Sequence, residues 1–291
     1  MASGLPVRAL CALCGVPGTP TEVVENGFRL ERCNSCRLLF VSPRPEEEEI
    51  AAIYEHDAGD VRARQSLART RAPHAVAHAL HTLHLLRPHH ARGSLLEIGA
   101  GSGLFLNEAR RAGYTIAAVE PNPLQTAFMA ETFDIQCVPA RFGPETLQGE
   151  CFDVIYHCNV MSHFPNPVET LAQIRSRLRP GGVLLMETGN FADVHPRFYP
   201  LIARTERFQL PDHLYFFGEQ SLRLLLKRSG FRLRAMHRYS RIGEKCGPPL
   251  LDRARLGRFA RRFQFALTYR LGRWLPKRGR PQTLIVVAAP E

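Results

Sequence analysis

Residues Leu95-Leu96-Glu97-Ile98-Gly99-Ala100-Gly101-Ser102-Gly103-Leu104 join an apolar run, an acid and three alternate glycines ahead of a helical pattern. A strand ending in such a turn lets backbone approach a bound molecule closely, because glycine has no Cβ and accepts φ > 0. The helix that follows offers its N-terminal amides. A dinucleotide fingerprint needs glycine at the first, third and sixth places of the turn. Counted from Gly99, the sixth place is Leu104, which argues against a pyrophosphate loop. The stretch therefore predicts a different cofactor loop, with a plain strand-turn-helix as the alternative.

Downstream, Tyr114 to Glu120 reads as a strand closed by an acid, whose carboxylate can accept hydrogen bonds from ribose hydroxyls. Phe152 to Tyr156 reads as a fourth strand, and Arg179 to Met186 as a helix stop, turn and fifth strand. An amphipathic helix over Gly218–Ser229 and strands over Phe231–His237 and Thr283–Ala288 complete the series. This alternation from Gly93 onward predicts an α/β, Rossmann-like, doubly wound sheet of seven strands.

Upstream, Cys11-x2-Cys14 and Cys33-x2-Cys36 have the spacing of two zinc knuckles, joined by a hairpin over Thr21–Arg32 that turns at Glu25-Asn26-Gly27. Four thiolates leave no open coordination position, so the predicted zinc is structural. Cys137, Cys151, Cys158 and Cys246 lack such spacing and read as small hydrophobes. The expected organisation is a zinc ribbon at 1–45, a helical linker at 46–92 and the sheet domain at 93–291. Helices are expected over Glu46–Tyr54 and Ala75–Leu86. The second carries His74, His78, His81 and His84, read as a His-rich polar face with metal binding as the alternative.

Within the sheet domain, residues 190–217 hold Phe191, Phe198, Tyr199, Phe208, Tyr215, Phe216 and Phe217, either an aromatic lid or packing onto the core. The formal charge of +11 is concentrated at 251–280, where ten basic residues face one acid, Asp252. Aromatics and leucines interleave with those arginines. This basic insertion suits an anionic membrane surface, RNA phosphates, or a solvated helix on its own domain. No apolar run is long enough to span a bilayer and Met1–Pro6 has no signal-peptide core, so a cytoplasmic protein, at most peripheral to a membrane, is expected.

Glu97-x-Gly99-x-Gly101-x-Gly103, Glu120, Phe152–Tyr156 and Leu178-x-Pro180-Gly181-Gly182-x-Leu184 resemble, in order, the motifs of class I S-adenosylmethionine (SAM) methyltransferases. Two further strings, Arg32 to Pro45 and Pro211-Asp212-His213-Leu214-Tyr215-Phe216-Phe217, resemble a branch with an N-terminal zinc ribbon, over Cys11 to about Phe231. The resemblance implies SAM as cofactor, with Glu97 beside its methionine moiety and Gly99, Ala100, Gly101 and Gly103 bringing backbone against it. Glu120 and Pro121 would lie at the ribose, and Cys158 would pack on the cofactor. It also implies methylation of a small molecule, often a sugar, its nucleotide conjugate or a natural product, and a membrane-facing 251–280 would match a lipid-linked glycan; a hydroxyl is the expected acceptor group.

Phe152 to Pro167 is similar to a string of ubiquinone-pathway O-methyltransferases, but Asn159 and Ser162 replace the acids that help hold their divalent cation. A metal-assisted catechol reaction is thus not expected. His157, His163 and His213 are the candidate bases, the first two facing the cleft and the third closing over it; each is equally suited to fixing a loop. RNA methylation is a less favoured alternative, since no Asn/Asp-Pro-Pro-Tyr/Phe string follows the fourth strand. A non-catalytic SAM-binding scaffold is another. The acceptor, the methylated atom type and the oligomeric state are left open.

Overall fold

The computed structural model describes residues 8–46, 49, 63–64, 66–68, 70, 72–194, 196–199, 208–240 and 282–291. The basic segment 251–280, and most of the helix expected at 46–54, lie outside these residues. Near the N-terminus, strands β1 (Thr19–Glu25), β2 (Phe28–Arg32) and β3 (Leu39–Ser42) form an antiparallel meander. Next come β4 (Gly93–Ile98), β5 (Tyr114–Val119), β6 (Phe152–Cys158) and β7 (Leu178–Asn190). β8 (Tyr215–Phe216), β9 (Phe231–Ser240) and β10 (Gln282–Pro290) follow.

Six strands build the main sheet in the order β5-β4-β6-β7-β10-β9. β5, β4, β6 and β7 are parallel, whereas β10 runs antiparallel between β7 and β9. β10 is apolar on both faces because both are covered, and Leu284 to Ala288 are fully buried. The seven-strand expectation needs one correction among the described residues. Beside β5 the seventh place is reduced to a single parallel bridge, Val119 to Val138. Pro139 follows immediately, and without an N–H it cannot extend the ladder.

Among the described residues, five α-helices flank this sheet: α1 (Pro73–Leu86), α2 (Leu104–Arg111), α3 (Pro123–Phe133), α4 (Pro167–Ser176) and α5 (Glu219–Arg228). Proline opens α1, α3 and α4, where its missing N–H has no intrahelical partner to lose. Leu83, Leu86, Leu106 and Ala109 of α1 and α2 cover one face, against Leu95, Val154 and Leu185. Leu171, Ile174, Leu222 and Leu225 of α4 and α5 cover the other, against Leu96, Ile155 and Leu184.

The ribbon is fused to this body. Cys11, Cys33, Leu38 and Phe40 share the α4–α5 core. β8 pairs with β3 through Leu39–Phe216 and Phe40–Tyr215, extending the ribbon to four strands. On the ribbon's other side Leu30, Leu39 and Val41 pack with Tyr199, Phe208 and Phe216. Phe208 meets Phe216 edge-on at 5.0 Å and Tyr199 at 6.4 Å. Tyr199, Phe208 and Phe216 thus pack against the ribbon.

Two histidines of α1, His78 and His81, turn toward the protein, whereas His84 is exposed as a polar face requires. His81 is buried, and His78 Nε2 lies 2.9 Å from the Glu187 carboxylate on β7. Burial, with His78, His84 and His237 nearby, pushes His81 down to about 4. Among the described residues, no helix is long and apolar enough to cross a membrane.

Candidate cofactor and acceptor site

The glycines of the loop after β4 answer to different demands. A Cβ on Gly99 would stand 2.5 Å from Val160 Cγ2, and one on Gly103 2.5 Å from Met129 Cγ. Both are fixed by the protein's own packing. Gly101 (φ +56°) has nothing nearer than Gln125 Nε2 at 3.9 Å, so its bare face opens on the cleft. Ala100 is buried and donates its N–H to the Val119 carbonyl at 3.2 Å, while Pro121 is exposed.

Two buried acids flank this opening. Glu120 accepts the Gly101 N–H through Oε2 at 2.8 Å and the Asn122 N–H through Oε1 at 2.9 Å, which leaves further lone pairs for a ligand. Glu97 is buried and its Oε2 has no hydrogen-bond partner. Burial, reinforced by Glu120, pushes the Glu97 carboxyl well above its ordinary range; burial also raises Glu120, against the pull of its two amides. A buried acid pair beside an open glycine fits SAM, which carries an ammonium, a sulfonium and ribose hydroxyls.

Across the cleft, a short 3₁₀ turn at Met161–His163 presents His163. Its Nδ1 lies 3.0 Å from the Asp212 carbonyl oxygen and 3.2 Å from Asp212 Oδ1. His213 Nδ1 lies 3.0 Å from the Phe208 carbonyl, and the two imidazoles are 4.6 Å apart. A carbonyl only accepts, so each Nδ1 carries the proton and each Nε2 the lone pair. The Leu214 N–H donates to the Ser162 carbonyl at 2.8 Å and locks the two loops together. His163 lies near enough to Glu120 to favour its charged form slightly. The donor atoms of His163, Asp212 and His213 lie within 4.8 Å of one another. Both Nδ1 atoms are thus engaged by carbonyls, with the Asp212 carboxylate beside the His163 ring.

His157 departs from its expected place in the cleft. It points to the same sheet face as Ile155, is 1 % exposed, and neither ring nitrogen has a hydrogen-bond partner. Burial pushes it down to about 4. Cys158, next along β6, turns the other way and takes a hydrogen bond from the Asn159 amide at 3.5 Å. Sequence reasoning missed Asp212 as a partner, although it precedes His213 in the quoted string. It also missed Glu187, the buried partner of His78, for which the sequence holds no local signal.

In the ribbon, the sulfurs of Cys11, Cys14, Cys33 and Cys36 all lie within 4.8 Å of one another. Cys11 and Cys36 are 3.6 Å apart, near the ~3.8 Å that tetrahedral zinc with bonds of ~2.3 Å requires. The hydrogen bond from Cys36 draws the Cys11 thiol down to about 5 and, with burial, pushes Cys36 up. One proton shared by two crowded sulfurs is the arrangement a divalent cation displaces. The donor set fits structural zinc.

A methyltransferase domain family matches residues 67–236, more than half of the chain. Among curated relatives, a tRNA U34 carboxymethyltransferase of Hydrogenovibrio crunogenus is 30 % identical over 149 residues, covering 47 % of this chain and 44 % of that protein. A ubiquinone biosynthesis O-methyltransferase of Paramagnetospirillum magneticum is 30 % identical over 121 residues, covering 40 % and 48 %. The chain thus spans less than half the length of these relatives. In fold, it is similar to Burkholderia thailandensis 1,6-didemethyltoxoflavin-N1-methyltransferase, solved with bound 1,6-didemethyltoxoflavin and S-adenosylhomocysteine. The TM-score is 0.53 at 18 % identity, covering 93 % of this chain and 98 % of that one. The glycine loop with its two acids, the sheet order and the matched domain agree: this chain belongs to the class I SAM-dependent methyltransferase family.

Proposed function

We propose that this protein transfers the methyl group of SAM to a hydroxyl of a small-molecule acceptor, on a sugar, lipid-linked glycan or natural product. The observation that carries this reading is the His163–Asp212–His213 cluster beside the acids of the cofactor loop. SAM, when bound, supplies a methyl already activated on sulfonium. The Gly101 opening, Glu97 and Glu120 hold it, and an acceptor oxygen must then be kept in line, an arrangement that supplies roughly 7–11 kcal/mol. A hydroxyl must also lose its proton. Nε2 of His163 or His213 takes it, with the Asp212 carboxylate beside the His163 ring; such a base contributes about 10²–10⁴-fold.

A second reading is RNA methylation, favoured by the tRNA-modifying relatives and the basic charge. Full-length protein with radiolabelled SAM, offered nucleotide sugars and bulk tRNA in parallel, separates the two. Label in the sugar fraction, lost in His163→Gln and His213→Gln, is the expected result. Label in tRNA alone overturns the small-molecule reading, and failure to bind SAM in calorimetry overturns both.

A further inference from the structure

We infer that Glu25, at the tip of the ribbon hairpin, is a positioning residue that sets the orientation and tautomer of His213. The inference rests on the reading of His213 as a candidate base. Glu25 Oε1 accepts the N–H of Phe208 at 3.2 Å, and Oε2 accepts those of Gln209 at 2.9 Å and Leu210 at 3.3 Å. Three successive amides converge on one carboxylate, with Gln209 in the left-handed region at φ +62°. This is a backbone nest for an anion, filled by a side chain from another part of the fold. Beside it, the Asn26 side-chain amide donates to the Leu210 carbonyl at 2.7 Å.

The tethered segment orients the histidine. The Phe208 carbonyl accepts from His213 Nδ1 at 3.0 Å, and the Gln209 carbonyl accepts the His213 backbone N–H at 3.2 Å. The peptide planes that give their amides to Glu25 therefore fix the direction of the carbonyl that holds the Nδ1 proton. A chain of hydrogen bonds runs from the hairpin tip to the imidazole. It leaves Nε2 as the unprotonated ring nitrogen of His213.

The test is ring-nitrogen NMR on full-length protein labelled with ¹⁵N-histidine, the His213 signal being assigned by its loss in His213→Gln. The wild type shows a single Nδ1–H tautomer at His213. In Glu25→Ala the signal becomes a mixture of tautomers, and in Glu25→Gln, which keeps one acceptor oxygen, the change is intermediate. Glu22→Ala, an exposed acid on the same strand, leaves it unchanged. Where Glu25→Ala fails to fold, Glu25→Gln alone decides. With the acceptor in hand, kcat falls about tenfold in Glu25→Ala and the KM for SAM is unmoved. An unaltered single tautomer at His213 in a folded Glu25 variant overturns the inference. Full activity of His213→Gln instead overturns the base reading and leaves the NMR result to judge the tether.

Discussion

One atom of His163 is held twice by Asp212: Nδ1 lies 3.0 Å from the Asp212 carbonyl oxygen and 3.2 Å from its carboxylate Oδ1. The carbonyl fixes the tautomer, and the carboxylate lies beside the same nitrogen. Asp212→Asn keeps the first contact and removes the negative charge. We expect kcat for methyl transfer to fall by about 10- to 100-fold, with SAM affinity by calorimetry unchanged. Loss of SAM binding with normal kcat would place Asp212 in the cofactor site instead.

Gly99 and Gly101 should respond differently to the same methyl group. In Gly99→Ala the new Cβ meets Val160, so stability falls by about 2–3 kcal/mol and truncating Val160 restores part of it. Gly101→Ala meets only open space, so stability drops by about 1 kcal/mol from its positive φ while SAM affinity falls tenfold or more. Denaturant titration and calorimetry separate the two. Equal loss of stability at both positions would contradict this assignment.

His157 predicts an acid-labile core. Its folded value is about 4 against 6.5 for the free side chain, so the unfolded chain binds more protons between these pH values. Stability is complete above 6.5 and is lost as pH falls toward 4, by about 3 kcal/mol from this residue. His81, held near 4, adds in the same direction. The raised carboxyls of Glu97 and Glu120 act oppositely, stabilising the folded state at low pH and losing that effect as pH rises through their folded values. His157→Phe should flatten the decline in melting temperature between pH 6.5 and 4 and leave methyl transfer intact. An inactive, stable His157→Phe would return His157 to the catalytic candidates.

Metal analysis of purified protein should give one zinc per chain. Cys14→Ser lowers the melting temperature and weakens the near-UV signal of the aromatics packed on the ribbon, Tyr199, Phe208 and Phe216. An unchanged spectrum after zinc loss would uncouple the ribbon from that cluster.

What the sequence made legible is what adjacent residues encode together. Glu97 with its glycines, Glu120 at a strand end and the two Cys-x2-Cys knuckles are local patterns, and each stands in the fold where its pattern put it. His157 shows where locality stops. Period-two alternation groups it with Ile155, yet which face of β6 opens on the cleft depends on the helices packed there. His78 reads as part of a water-facing stripe because its partner, Glu187, lies on a distant strand. The contact between His163 and Asp212 likewise spans forty-nine residues, beyond the reach of any motif. For the seventh strand, Pro139 was a visible signal that the regular α/β rhythm obscured.

The pairing of β3 with β8 also imposes an order of events on synthesis. The ribbon's cysteines and first three strands leave the ribosome early, whereas their fourth strand does not exist until most of the chain has been translated. During that interval the β3 edge and the apolar side of the hairpin, Leu30, Leu39 and Val41, wait without Phe208 and Phe216. Early metal capture would give the nascent ribbon a fixed shape to wait in. The ribbon's fourth strand is then added late, when Tyr215 and Phe216 return to a segment made long before.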